Sequence, residues 1–246
     1  VVAGLYAAGL TARGLRGVVL ELSRSGLLLM DPDYAGIVKA LAQLVTRRPV
    51  TLSGLFKGNR LERYLRLRTG GRSMQSLSIR TVIPAVDLVS GLTVAYTNSL
   101  AGVRPIERVR WETNMELCRA IRASCAVPAV FQPLIADRMC LVDGGVTDVL
   151  PVDLLVAAGE EHVLAVDVSE PYEMPEGNNF IEISAHSLAV MSGCLREYIS
   201  TKEKFLLKPD LPDSAGLLTF RRMEECMDAG YRAAKEYLPA MRELFS

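Results

Sequence analysis

The tripeptide Asp143-Gly144-Gly145 is the part of this 246-residue chain whose residue types and position most directly suggest chemistry. It follows the apolar run 139–142, which is typical of a buried strand, and it precedes a segment of helical character. A carboxylate at the end of a parallel strand lies where open α/β sheets bind their ligands. The two glycines permit a tight, even left-handed, turn and let another part of the chain approach. On spacing alone, an ordinary Asp-Gly turn explains the tripeptide better than catalysis does.

Alternating strand-like and helix-like segments surround this turn. Strands are predicted at 79–89, 92–97, 134–135, 139–142, 162–168 and 205–207. Helices are predicted at 1–8, 34–46, 60–68, 115–123, 152–158, 187–200 and 221–244, with a mobile loop at 171–179 and a break at Pro239. Asn59 and Glu62 have the spacing of a capping box for the helix at 60–68. This order predicts one domain over residues 1–246, a three-layer α/β/α sandwich with a mainly parallel central sheet.

Composition narrows the functional classes. Half of the residues are hydrophobic and 23% are charged, as in an ordinary globular protein, and no apolar run approaches the roughly 18 residues that span a bilayer. The zero net charge argues against nucleic-acid binding. Five widely spaced cysteines indicate reduced thiols and a cytoplasmic protein. Because no His, Cys and Asp cluster has the spacing of metal ligands, neither a metal nor another cofactor is predicted.

The charges are unevenly distributed along the chain. Residues 47–80 contain nine basic residues and a single acid, Glu62. One interpretation is a solvated helix face. The other is peripheral contact with an anionic membrane, in which Arg60, Arg63 and Arg66 meet lipid headgroups, each contributing about 1 kcal/mol. Both interpretations stay open at this point.

Four other polar residues are interpreted as structural. Ser124 lacks the glycines of a nucleophile elbow and is expected to end a helix. Asp87 is expected to bind backbone near Gly91 at the end of a strand. Asp148 is interpreted as a supporting polar group, and Asp153 as an acid in the first turn of a helix.

Several ordered segments resemble one family, the patatin-like phospholipases, from residue 1 to about residue 240. The segments are MELCRAIRASCAVPAVFQPLIADRMCLVDGG at 115–145, VTDVLPVDLLVAAGEEHVLAVDVS at 146–169, IRTVIPAVDLVSGLTVAYT at 79–97, GLFKGNRLERYL at 54–65, KPDLPD at 208–213 and MDAGYRAAKEYL at 227–238. The resemblance implies a patatin-like fold and a lipid acyl hydrolase. Phospholipid, lysophospholipid, glycolipid and simple ester stay open as the substrate.

The resemblance also implies roles for the turn. In this family a serine on a G-x-S-x-G elbow attacks an acyl ester, and the Asp of a D-G-G or D-G-A turn is its base. Asp143 matches the catalytic base, and Gly144 and Gly145 match the active-site turn. Such a dyad is chemically reasonable because a hydroxyl needs a base within hydrogen-bond reach. Partial burial of the carboxylate would raise its basicity.

The start of the chain departs from the family pattern. VVAGLYAAGLTARGL resembles the helix that follows the elbow, yet neither G-x-S-x-G nor the glycine-rich oxyanion loop occurs in these residues. The resemblance therefore implies a parent protein with a further N-terminal strand-helix-strand of roughly 30–40 residues that carries the serine. Residues 1–246 alone are then expected to be inactive. The alternatives are a catalytically inactive lipid-surface or scaffolding module, and an acyltransferase.

Overall fold

The computed structural model describes residues 1–168, 202–212 and 219–245, together with isolated positions between 183 and 195. The strands with defined bounds are β1 (Val82–Asp87), β2 (Leu92–Thr97), β3 (Val109–Glu112), β4 (Leu134–Ala136), β5 (Met139–Asp143), β6 (Leu164–Val166) and β7 (Phe205–Leu207). The helices with defined bounds are α1 (Val2–Ala7), α2 (Ala12–Leu29), α3 (Tyr34–Val45), α4 (Asn59–Thr69), α5 (Leu117–Ser124), α6 (Val152–Ala157), α7 (Met223–Glu236) and α8 (Leu238–Phe245).

A mixed sheet with helices packed against it forms the centre of the fold. Its strand order is β3-β2-β1-β5-β4, and β6 pairs with β7 in a second, two-stranded sheet. The predicted three-layer α/β/α architecture is confirmed. The expectation of a mainly parallel sheet needs correction, because among the described strands only β2–β3 and β6–β7 are parallel. The physical reason is that short turns join β1 to β2 and β4 to β5, and a short turn can only connect antiparallel neighbours.

The main core lies between the sheet and helices α1 and α5. Leu5, Tyr96, Leu117 and Leu141 are almost fully buried there, and each such side chain contributes roughly 1.5–3 kcal/mol of burial free energy. Helix α1 approaches α5 very closely, since a Cβ added at Gly4 would lie 2.5 Å from Cδ1 of Ile121. This contact fixes the position of the first helix against the helix that leads towards β5.

The N-terminus of α4 differs from the prediction. The predicted capping box of Asn59 and Glu62 was wrong. The N-cap residue of α4 is Gly58, with a φ of 76°, and it has no side chain that could accept a hydrogen bond from the helix. Instead the Asp31 carboxylate accepts hydrogen bonds from the backbone N–H groups of Gly58, Asn59 and Arg60 at 2.7, 2.9 and 3.2 Å. A residue distant in sequence therefore satisfies the donors that a helix start leaves unpaired.

The C-terminal part confirms some expectations and corrects others. The predicted parallel strand at 162–168 exists in shorter form as β6, but Leu164 and Val166 are 41% and 46% exposed, so full burial was wrong. The predicted helix at 221–244 breaks at Tyr237, whereas Pro239 lies in the first turn of α8, where its missing N–H breaks no hydrogen bond. The loop at 171–179 and most of the helix at 187–200 lie outside the described residues.

None of the helices in the described part of the chain is both long enough and apolar enough to cross a bilayer.

Candidate active site

Asp143 is the last residue of β5 and lies where three elements meet. It pairs with Ala85 of β1 in the antiparallel ladder. Its backbone N–H donates to the carbonyl of Ala126, just beyond the end of α5, at 3.1 Å. The backbone at Asp143 is therefore held from both sides, and the carboxylate projects from a rigid strand end.

The Asp143-Gly144-Gly145 turn is tight but does not need a left-handed backbone. Neither glycine has a positive φ, so that expectation was wrong. Gly144 is required for a different reason: a Cβ at this position would lie 2.8 Å from the carbonyl oxygen of Pro84. The predicted close approach of another part of the chain is thus real. Gly145 donates its N–H to Oδ1 of Asp143 at 2.8 Å, which fixes the orientation of the carboxylate.

The surroundings of Asp143 make it a better base than an exposed aspartate. Burial raises the pKa of its carboxyl group above the ordinary value, because the charged form loses solvation. The hydrogen bond from Gly145 lowers the pKa and only partly offsets this effect. Oδ1 is occupied by the Gly145 N–H, which leaves Oδ2 able to accept a proton from a group placed beside it.

Cys125 is a neighbour of this carboxylate that the sequence did not reveal. Burial raises the pKa of its thiol, the charge of Asp143 raises it further, and Arg122 lowers it. The backbone nitrogen of Val1 lies near both Cys125 and Asp143. The beginning of α1, the end of α5 and the end of β5 converge on one small region. The sequence carried no signal for this neighbour, because Cys125 reaches the region through Ala126, whose carbonyl accepts the N–H of Asp143 only in the folded chain.

The residues after the turn support its shape. Oγ1 of Thr147 lies 2.9 Å from Oγ1 of Thr93 in β2. Asp148 accepts the N–H of Leu150 at 2.9 Å, which agrees with a supporting polar role, and burial raises the pKa of its carboxyl group. Asp153 lies in the first turn of α6, as predicted, and pairs with Lys202 at 2.9 Å.

Asp87 and Ser124 have the structural roles expected of them. Asp87 is 2% exposed and accepts hydrogen bonds from Ser90, Val89 and the backbone N–H of Cys140. Burial alone would raise the pKa of this carboxyl group, but the hydrogen bonds outweigh burial and lower it. Asp87 thereby ties the β1–β2 turn to β5. Ser124 is the last residue of α5.

Arg122 is a second residue that sequence reasoning missed. It is 2% exposed, and its guanidinium group donates to the carbonyls of Gly58, Lys57 and Gln132 at 3.2, 2.9 and 2.8 Å. Desolvation by burial lowers the pKa of Arg122. The side chain joins the start of α4 to the segment before β4. A Cβ at Gly58 would lie 2.1 Å from Nε of Arg122, so glycine is required there.

The three arginines predicted to meet lipid headgroups all lie on α4 and are exposed. Arg66 forms an ion pair with Glu116. Arg60 donates to the carbonyl of Leu28 at 3.1 Å. In the described residues no hydrogen bond or ion pair joins any of the three to Asp143.

Comparison with known proteins agrees with the fold. Residues 1–156 match the family described as patatin-like phospholipase, which is more than half of the chain, and this chain belongs to that family. The matched residues include α1, the main sheet and the Asp143 turn.

Similar proteins occur in bacteria and fungi. An uncharacterised NTE family protein of Mycobacterium bovis is 21% identical over 98% of this chain and 47% of its own length. The uncharacterised protein YqhO of Bacillus subtilis is 26% identical over 72% of this chain and 61% of its own length. Lysophospholipase nte1 of Neurospora crassa is 26% identical over 55% of this chain and 11% of its own length. The chain thus spans about half the length of the mycobacterial relative.

Proposed function

We propose that this chain is part of a longer protein, here called the parent protein, that hydrolyses lipid acyl esters. Asp143 is the general base, and the nucleophile is a serine upstream of residue 1. The observation that carries the proposal is the environment of the Asp143 carboxylate. It is fixed at a strand end by the Gly145 N–H. It is also partly buried, and burial raises its pKa. A base of this kind is what a serine without a histidine partner needs.

The position of α1 supports an upstream serine. The backbone nitrogen of Val1 lies near both Asp143 and Cys125, so a chain that enters α1 from its N-terminal side would pass the Asp143 carboxylate. Tight packing of Gly4 on Ile121 holds α1 in this place. A serine on a turn directly before α1 would therefore lie close to its base.

The proposed reaction has two steps. The serine hydroxyl attacks the ester carbonyl carbon while Oδ2 of Asp143 takes its proton, and the alcohol leaves with that proton to give an acyl-serine. Water then attacks the acyl-serine, and Asp143 takes a proton from the water and returns it to the serine as the carboxylic acid leaves. The Gly145 N–H holds Oδ1 throughout, so the same oxygen of Asp143 serves both steps.

A phospholipid or lysophospholipid is the proposed substrate class. The family is described as phospholipases, and a fungal relative is named a lysophospholipase. The ester bond is the reacting group in either case.

A fluorophosphonate probe tests the nucleophile directly, because it labels a serine only when a base activates it. Labelling of the parent protein should map to a serine in the residues before Val1, and Asp143→Asn should abolish it. Asp228→Asn, at an exposed position on α7, is the matched control and should keep full labelling. An upstream sequence without G-x-S-x-G, together with no labelled serine, would contradict the proposal and support an inactive lipid-surface module.

A further inference from the structure

Helix α3 turns its apolar side outward. Tyr34, Val38, Leu41 and Val45 have helical spacing and are 72%, 66%, 58% and 85% exposed. No residue of α3 is buried. An amphipathic helix normally packs such a stripe against the core. An exposed apolar stripe of this kind is typical of an interaction surface.

The orientation of α3 is held by contacts at both ends. Asp33 caps the helix by accepting the N–H of Gly36 at 3.1 Å, and Asp33 itself is fixed by Lys57 at 3.2 Å and by Nε2 of Gln132 at 2.8 Å. Near the other end, Oε1 of Gln43 accepts the N–H of Thr51 at 3.0 Å. The side of α3 that faces its own chain carries the half-buried Gly36, Ile37, Ala40 and Gln43, and the exposed apolar stripe lies on the outside.

Further exposed leucines and basic residues flank α3 in the sequence. Leu27 and Leu28, at the end of α2, are 64% and 69% exposed. The guanidinium group of Arg60 donates to the Leu28 carbonyl, so a positive charge lies beside these leucines. Residues 34–61 contain no acidic residue and five basic ones, Lys39, Arg47, Arg48, Lys57 and Arg60.

We propose that α3, with Leu27 and Leu28, is an interfacial helix that inserts into the surface of an anionic phospholipid bilayer. Arg47, Arg48, Arg60 and the exposed Arg63 meet the phosphate headgroups, whereas Arg66 is already paired with Glu116. A helix with an outward apolar stripe and a basic border binds bilayers in this way, lying in the plane of the interface. The inference rests on the proposed function only in that the bilayer contains the acyl lipids to be hydrolysed.

Charge favours a lipid surface over a second copy of the chain. Two α3 stripes packed face to face would bring the same basic residues of both copies together, and like charges repel. Anionic headgroups instead neutralise them.

Vesicle sedimentation with the parent protein tests the proposal. The probes are vesicles of phosphatidylcholine alone and of phosphatidylcholine mixed with phosphatidylglycerol. Val38→Gln with Leu41→Gln should weaken binding to the mixed vesicles by about tenfold or more, because two apolar side chains lose their insertion. Leu88→Gln with Val89→Gln is the matched control, since these residues in the β1–β2 turn are also 56% and 71% exposed. This control should bind normally.

The contribution of the basic residues to vesicle binding is tested with separate variants. Arg47→Gln with Arg48→Gln should reduce binding to the mixed vesicles and remove the preference over phosphatidylcholine alone. Unchanged binding by the α3 variant, or equal loss in the control, would overturn the proposal. Self-association of the parent protein that the α3 variant abolishes, with vesicle binding unchanged, would also overturn it and make the patch a dimer interface.

Failure of this inference can be separated from failure of the proposed function. A soluble short-chain chromogenic ester needs no bilayer, so the α3 variant should hydrolyse it at the normal rate while losing activity on vesicle lipids. Vesicle binding that depends on α3 without any hydrolysis of the soluble ester would count against the proposed function alone. Normal hydrolysis with binding independent of α3 would count against the interfacial helix alone.

Discussion

At the scale of single residues, the burial of Asp143 should cost stability as well as raise basicity. A carboxyl group whose pKa is higher in the folded than in the unfolded state favours folding when it is protonated. Its contribution to stability is therefore present at low pH and is lost as the pH rises through the folded pKa.

Asp143→Asn should thus increase the free energy of unfolding at neutral pH, because asparagine removes the buried charge and keeps an oxygen for the Gly145 N–H. The advantage should shrink as the pH falls through the raised pKa. Urea unfolding over a pH series measures both effects, with the exposed Asp228→Asn as a control expected to change little. If the Asp143→Asn protein were less stable at neutral pH, burial of the Asp143 charge would not lower the free energy of unfolding.

Gly144→Ala tests the close approach at the turn. The added Cβ would lie 2.8 Å from the backbone oxygen of Pro84, which cannot rotate away. We therefore expect the free energy of unfolding to fall by roughly 1–3 kcal/mol. Gly17→Ala is the control, because no heavy atom outside its own helix backbone lies within 4 Å of that position in α2. The control should gain about 0.5–1 kcal/mol from helix propensity. If thermal unfolding gave similar changes in the free energy of unfolding for the two variants, the proposed steric role of Gly144 would be contradicted.

At the scale of elements, α4 depends on a carboxylate outside its own sequence. Asp31→Ala removes the acceptor for three backbone N–H groups at the start of α4. We expect a loss of roughly 1–3 kcal/mol in urea unfolding. Asp210→Ala, an exposed aspartate, should change stability by less than about 0.5 kcal/mol. Equal effects would mean that the cap does not stabilise α4.

The elements that the sequence predicted well are those decided by neighbouring residues. The β1–β2 and β4–β5 hairpins followed from short polar turns between β-rich runs, and helices α3, α4 and α5 followed from apolar spacing. The cap of α4 was missed because Asp31 is 28 residues before Asn59. The antiparallel pairing of β1 with β5 was missed because it depends on which strands become neighbours, which local patterns do not encode.

The same distinction applies to the candidate site. Asp143 and its turn could be predicted because residue type and family resemblance both lie in one short segment. Cys125 and Arg122 could not, because their importance comes from contacts made by folding: Cys125 with the Asp143 charge, and Arg122 with carbonyls up to 65 residues away. The outward face of α3 was hidden for a similar reason, since its spacing is that of an ordinary core-packing helix.

At the scale of the whole molecule, the described part of the chain forms the framework around the proposed base. The sheet, α1 and α5 converge on Asp143. Residues 1–246 expressed alone should therefore give no turnover of a chromogenic acyl ester above a buffer blank, whereas the parent protein should turn it over. Comparable rates for the two proteins at equal concentration would place the nucleophile within residues 1–246 and contradict an upstream serine.

The most direct test of the account is the effect of Asp143→Asn on ester hydrolysis by the parent protein. Asparagine keeps the shape and the hydrogen bond to Gly145 but cannot take a proton, so kcat on a soluble acyl ester should fall by about 10²–10⁴-fold. Circular dichroism should show an unchanged fold. In the unsubstituted protein, activity should decline on the acid side with an inflection above 3.8, the ordinary pKa of aspartate. Activity that persists in Asp143→Asn would contradict the assignment of Asp143 as the base.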